Sequence, residues 1–490
     1  VNALLVSLTA LTAPAAAGGV EVPESAAWRN ERPPIPEPEP PVLPAFERAE
    51  LDNGLRIYVT PVPGVPLVSF ELVTLGGSAT DPAGRAGLTS LTYALLEEGT
   101  ESLDALAFSD RVADLGARFG AGTDRDHGGL SIGGLSRHAE ELIALLADVA
   151  RRPRLAADDF ERVRAETLAS LEQRLGSPRG LAFMVFPGLV YGADHPFGHP
   201  PTGTPKSVST LTVDMVREQH AALFQPQRSA LIATGDIDLD SARALASAAF
   251  GDWARGSSDA PAVPAIEAEP RRRIHVVDRP GAPQTMVLFG RPVFERGHPD
   301  ELPLTLANEA WGGSFTSRLN MNLREEQGYT YGARSQVAFR RGVGVLLAYS
   351  AVQTGVTGPS VREILRELGQ LESKPLTREE IGLARNGIVR SLTGQFQSTS
   401  AVASAATSLF VYELELDHFK TLGPRFAQVG PDAIRAAATR YFDADVMKVL
   451  LVGDLEAIRP QLEALDLAPL EVLDPMTDLV APARSEAATR

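Results

Sequence analysis

Two stretches of this 490-residue chain repeat one another at a fixed spacing, and the repeat restricts the possible folds more than any other feature. Asp214, Val216, Arg217, Phe224, Gly235 and Asp236 recur as Asp432, Ile434, Arg435, Phe442, Gly453 and Asp454, each 218 residues further on. Upstream, Leu155, Arg164, Ser170 and Leu171 recur as Leu376, Arg385, Ser391 and Leu392, now 221 residues apart. The change of three residues is what a surface loop absorbs. Two ordered runs separated by one indel imply a duplicated unit, so one architecture must be built twice.

Each unit reads as α+β. Apolar and β-branched runs predict strands over Leu55–Thr60, Leu67–Leu75, Ser229–Ala233 and Val446–Val452. Helical periodicity marks Ala86–Glu98, Leu103–Leu115, His138–Ala150 and Asp158–Arg174, with one apolar stripe in the third from Leu142, Ile143, Leu145, Leu146 and Val149. Asp158 and Asp159 suit a helix start, and Thr377 with Glu380 forms a capping box. The expected product is two homologous domains, 46–256 and 271–474, each an antiparallel-rich sheet with helices packed on one face.

The remaining segments read as connectors and address. Residues 1–18 carry a short apolar run, Ala3–Ala17, ending in small residues, which suits a secretory signal peptide and a bacterial periplasmic or secreted location. A Pro-rich acidic linker follows over 19–45, a breaker-rich stretch runs from Gly256 to Pro270, and 475–490 reads as a tail. A net charge of −16 argues against nucleic acid, which binds clustered cations. With no cysteine, disulfides and thiol catalysis are excluded.

The segment Gly312–Ser335 is the densest in functional residue types. Gly312 and Gly313 permit close backbone approach. Thr316 or Ser317 can cap a helix whose stripe includes Leu319 and Leu323; Gln327 and Gly328 end it, and a strand begins near Tyr331. Gly312, Gly313, Ser317, Arg318, Leu319, Leu323, Arg324, Glu325, Gly328 and Tyr331 together resemble the second-domain signature of the pitrilysin/insulinase-type metallopeptidases, or inverzincins, whose relatives include mitochondrial processing peptidase subunits. Tyr329 stands where that signature usually has Leu. The resemblance implies that Arg324 and Tyr331 contact the peptide, and that Gly312 and Gly313 belong to a peptide-contacting glycine loop, although the two glycines read equally well as a plain helix-preceding turn. Guanidinium and phenol donors suit a carbonyl that develops negative charge. The plainer role of Arg324 is a surface helix residue paired with Glu325 or Glu326, and that of Tyr331 a half-buried strand residue.

The family's zinc frame is also recognisable. Gly87–Thr100 fits Gly-Leu-x-[H-x-x-E-H]-x-Leu-x-x-Gly-Thr with Ser90, Tyr93 and Ala94 in the three functional slots. None of these ligates a divalent metal well or takes a proton from water near neutral pH. Where the family has a further glutamate ligand, Ala169 and Ser170 align, and Glu166 and Glu172 are expected to face solvent. No histidine replaces the set. His138 and Glu141 read as a solvated helix face, His195 and His199 as a structural His-Pro loop, and Asp124–His127 as a hairpin connection.

The resemblance therefore implies a noncatalytic, substrate-binding subunit forming half of a clamshell, with no zinc on this chain. Zinc and H-x-x-E-H would lie on a homologous partner subunit. Two other readings stay open: a structural or peptide-binding protein of the same fold, and an autonomous metallopeptidase with unconventional ligands.

Overall fold

The computed structural model describes residues 43–256, 262–266, 271–465, 467 and 470–474. The signal-peptide segment, residues 19–42 of the Pro-rich linker and the tail lie outside the described residues, as do parts of the Gly256–Pro270 stretch.

Two runs, Ser229–Gly235 and Lys448–Gly453, are buried at every position, as strands covered on both faces must be. Each lies inside one of two mixed six-stranded sheets. The first sheet contains β1 (Glu47–Glu50), β2 (Arg56–Pro61), β3 (Leu67–Leu75), β4 (Arg118–Thr123), β5 (His127–Leu135) and β6 (Ser229–Gly235), in the order β1-β2-β6-β3-β5-β4. The second contains β7 (Arg273–Asp278), β8 (Gln284–Val293), β9 (Thr330–Ala338), β10 (Gly344–Gln353), β11 (Lys448–Gly453) and β12 (Leu470–Leu473), in the order β12-β7-β11-β8-β10-β9. The five inner and far-edge positions match one for one, including the parallel pairs β2–β6 and β7–β11. Only the near edge differs: β1 joins from the start of its half, antiparallel, and β12 from the end of its half, parallel.

Each half packs its own helices on one face of its sheet, as the apolar stripes require. Leu91, Tyr93, Leu142, Leu146, Phe160, Val216 and Phe250 meet Phe70, Leu72 and Ile132 in the first half. In the second, Leu304, Val361, Ile364, Ile434 and Ile458 meet Val287, Phe289 and Leu346. The opposite sheet faces are closed by exchange. The helix Pro178–Tyr191 of the first half lays Leu181, Ala182, Val185 and Phe186 on Val277, Met286, Leu288, Leu450 and Val452 of the second sheet. The helix Thr399–Val411 of the second half lays Val402, Ala405, Leu409 and Phe410 on Tyr58, Val73, Leu75 and Ile232 of the first. These two helices also begin 221 residues apart, each capped by a serine: Ser177 accepts from the Gly180 N–H and Ser398 from the Ala401 N–H.

Several boundaries shift for local reasons. The helix placed over Asp158–Arg174 runs from Ala157 to Gly176, with Ala156 at its N-cap. The strand placed over Val446–Val452 starts later, at Lys448, because Ala444–Val446 forms a 3₁₀ turn that Asp443 caps. The Thr377–Glu380 capping box is present, with both reciprocal bonds made.

Candidate functional site

In both halves the functional segment follows a long strand, β3 or β8, and leads to the edge strand, β4 or β9. In the first half, Asp81 fixes the entry: its carboxylate oxygens accept from the Gly87 and Thr89 N–H groups, 2.7 Å each. This satisfies two of the donors a helix start leaves orphaned. The helix then runs Leu88–Leu95 and tightens into a 3₁₀ turn over Leu96–Glu98.

Tyr93, in the general-base slot, is not at a surface at all. It is 1% exposed, its hydroxyl is hydrogen-bonded to Thr74 Oγ1, and its ring lies 5.5 Å from that of Phe224. Phe224 in turn stacks on His220 at 4.6 Å. The sheet makes room for the phenol at Gly128, where a Cβ would sit 2.2 Å from Tyr93 Cζ. Burial pushes the Tyr93 pKa up, offset only in part by the Thr74 bond, so the phenol stays protonated and cannot serve as a base. Ser90 and Ala94 are half-buried on the same helix face as Glu97, whose carboxylate accepts from the Ala121 N–H of edge strand β4 at 3.0 Å.

A zinc ion does not fit these residues: a hydroxyl, a protonated buried phenol and a methyl replace two imidazoles and a carboxylate. Ala169 and Ser170 are exposed and add no ligand, while Glu166 is held by Arg162 at 3.0 Å. Among the described residues no group of three His, Cys, Asp or Glu side chains could hold a metal ion. His138 lies 3.5 Å from Glu141 on an exposed face. His195 is structural. Its Nδ1 accepts from the Phe197 N–H, its Nε2 lies 3.0 Å from the Pro264 carbonyl, and its ring stacks on Tyr191. His199 contacts the Pro200 carbonyl, and burial lowers its pKa.

Asp124–His127 does connect β4 to β5, but its two middle residues, Arg125 and Asp126, are buried. The Asp126 side chain is fully buried, accepts from the Tyr412 hydroxyl at 3.1 Å and lies 3.8 Å from Arg340, so the turn docks on the second half. Burial, reinforced by Asp124, raises the Asp126 pKa to about 6. Composition alone could not tell this turn from a solvated one.

The second-half segment is built differently. The helix Glu301–Asn308 continues as a π-helical turn, Glu309–Gly313; a short turn, Arg318–Asn320, leads to a second π-helical stretch, Met321–Glu326. Such bulges often accompany functional sites. Ser317, not Thr316, holds the N-cap position, yet its hydroxyl makes no capping bond. Arg318 anchors the segment through Glu380, the Lys374 carbonyl and the Pro375 carbonyl. Gly328, at φ 67°, closes the segment as expected.

Arg324 is partly exposed, 3.2 Å from Glu325, with its guanidinium carbon 4.6 Å from the centre of the Phe315 ring. Tyr331 is 93% exposed on edge strand β9, far from the half-buried alternative. Gly312 is buried against that strand, where a Cβ would meet Ser335 Oγ at 2.3 Å; Gly313 is half-buried beside Glu309. Packing thus explains the glycine at 312. Asn320, which the sequence pattern did not single out, bonds the Phe315 carbonyl and the Ala333 N–H.

A duplicated α+β molecule with a zincin-like helix frame and an Arg/Tyr segment defines a peptidase-type fold. The family model described as Insulinase (Peptidase family M16) matches residues 62–178, and that described as Peptidase M16 inactive domain matches 210–388. The chain belongs to the M16 peptidase (insulinase) family, with its N-terminal and inactive C-terminal domains. It is 28% identical to an uncharacterized zinc protease of Mycobacterium leprae, over 70% of this chain and 78% of that protein. It is 21% identical to the non-peptidase homolog YmxG of Helicobacter pylori, over 73% and 82%. Among solved structures, a peptidase M16 inactive domain from Pseudomonas fluorescens superposes with a TM-score of 0.78 at 22% identity, covering 84% of this chain and 98% of that one. A protease from Helicobacter pylori gives 0.77 at 20%, covering 84% and 100%. At these identities the two structures establish the fold.

Proposed function

We propose that this chain is the noncatalytic, peptide-contacting subunit of a two-chain M16 peptidase, acting in the periplasm beside a homologous partner that carries H-x-x-E-H and zinc. The observation that carries the reading is the contrast at Tyr93: the base position is absorbed into the core, while Arg324 and Tyr331 remain at the surface. Peptide would lie where the edge strands and Arg324 can bind it, and binding energy from this half would position it across the partner's metal. Arg324 and Tyr331 would donate to the carbonyl of the bond being cut.

The test begins with the tagged chain purified from its own host. A second M16 chain bearing H-x-x-E-H should co-purify, and peptidase activity should need both. Arg324→Ala should lower that activity about tenfold or more while the complex persists. Stoichiometric zinc and activity in the isolated, chelator-washed and zinc-restored chain would overturn the proposal.

The ion pair between Arg324 and Glu325 favours a second reading, a structural or peptide-binding protein with no part in proteolysis. In that case Arg324→Ala leaves the activity of any complex unchanged.

A further inference from the structure

Three large, partly apolar side chains stand out of the second-half segment: Phe315, Met321 and Tyr331, 57%, 37% and 93% exposed. Phe315 is not loosely placed. Its carbonyl accepts from Asn320 Nδ2 at 2.7 Å, and Asn320, itself 3% exposed, uses its Oδ1 to accept from the Ala333 N–H at 3.0 Å. One buried amide therefore ties the loop carrying Phe315 to the strand carrying Tyr331. The Arg324 guanidinium carbon lies 4.6 Å from the Phe315 ring centre, well inside cation–π range. One face of the ring is thus taken by Arg324, and the exposure of Phe315 leaves the other open.

We infer that Phe315 is a further peptide-contact residue, whose open face selects an aromatic side chain of the peptide while its covered face positions Arg324. This rests on the proposed peptide-binding role of the same segment and adds a substrate preference to it. Aromatic pairing on an exposed ring gives discrimination of modest size, and the stacked cation strengthens the site without requiring the partner chain. Asn320 is a positioning residue, acting through Phe315 and β9.

The probes are two fluorescein-labelled, unstructured peptides of Ser, Gln and Ala, identical except for a central Phe or Ala, titrated against the full chain by fluorescence anisotropy. The wild-type chain should prefer the Phe peptide by roughly three- to tenfold. Phe315→Ala should bring the two affinities together, Phe315→Trp should keep the preference, and Phe315→Leu should not restore it. Circular dichroism should show each variant folded, since the side chain is exposed. Arg324→Ala should weaken both peptides alike. If the wild-type chain binds both peptides equally while Arg324→Ala still weakens them, the selectivity inference falls and the proposed function stands. If Phe315→Ala keeps the preference, the inference also falls. Binding of neither peptide overturns both.

Discussion

The segments before β4 and before β9 occupy equivalent places in the two halves, yet one places its central aromatic in the core and the other at the surface. Before β4, Tyr93 is sealed between Thr74, Gly128 and Phe224. Before β9, two π-helical stretches hold Arg324 and Phe315 in contact and leave Tyr331 almost fully exposed. An aromatic side chain on this helix gains burial free energy only if the sheet beneath yields space, and glycine at 128 provides it. In the second half, the glycine at 312 serves the neighbouring strand instead, and Tyr331 stays exposed.

The contrast is sharpest in the expected cost of removing each side chain. Tyr93→Ala should lose about 3–5 kcal/mol in urea unfolding, the range for emptying a buried aromatic site; a loss below about 1 kcal/mol contradicts its place in the core. His220, stacked in the same cluster, is held neutral by burial, its pKa lowered to about 4 and only partly restored by the Ala150 carbonyl. The folded state then binds fewer protons than the unfolded chain between about pH 6.5 and 4, so stability falls as pH falls through that window. That group alone should account for about 3 kcal/mol, and His220→Phe should flatten this part of the pH profile. Gly128→Ala should cost about 1–3 kcal/mol by overpacking, measurable as a lower Tm. At the other extreme, Tyr331→Ala should change stability by no more than about 0.5 kcal/mol while weakening peptide binding. A large loss of stability there would make Tyr331 structural and erase the contrast.

Much of this was legible before any coordinates. The limits of β3 coincide with the apolar run Leu67–Leu75, the Thr377–Glu380 box forms as spelled, and the frame over Gly87–Thr100 folds into the helix Leu88–Leu95. What stayed hidden depends on non-local partners. The strand Arg118–Thr123 contains two glycines and reads weakly as β; it is held by its pairing with β5. The apolar helices Pro178–Tyr191 and Thr399–Val411 announce burial without naming the sheet they cover. Asp124–His127 has the composition of a solvated turn, and distant partners, Phe197 in its own half and Tyr412 and Arg340 in the second, bury its middle residues. Asn320 gave no signal because its two bonds are to backbone groups whose positions the sequence does not reveal.

The exchanged helices carry one more implication. A chain cut between the halves would leave Tyr58, Val73 and Ile232 bare on one product and Met286, Leu288 and Val452 bare on the other, so neither piece is a self-sufficient folding unit. The two halves of this molecule are mutually dependent, and they must mature together or aggregate apart.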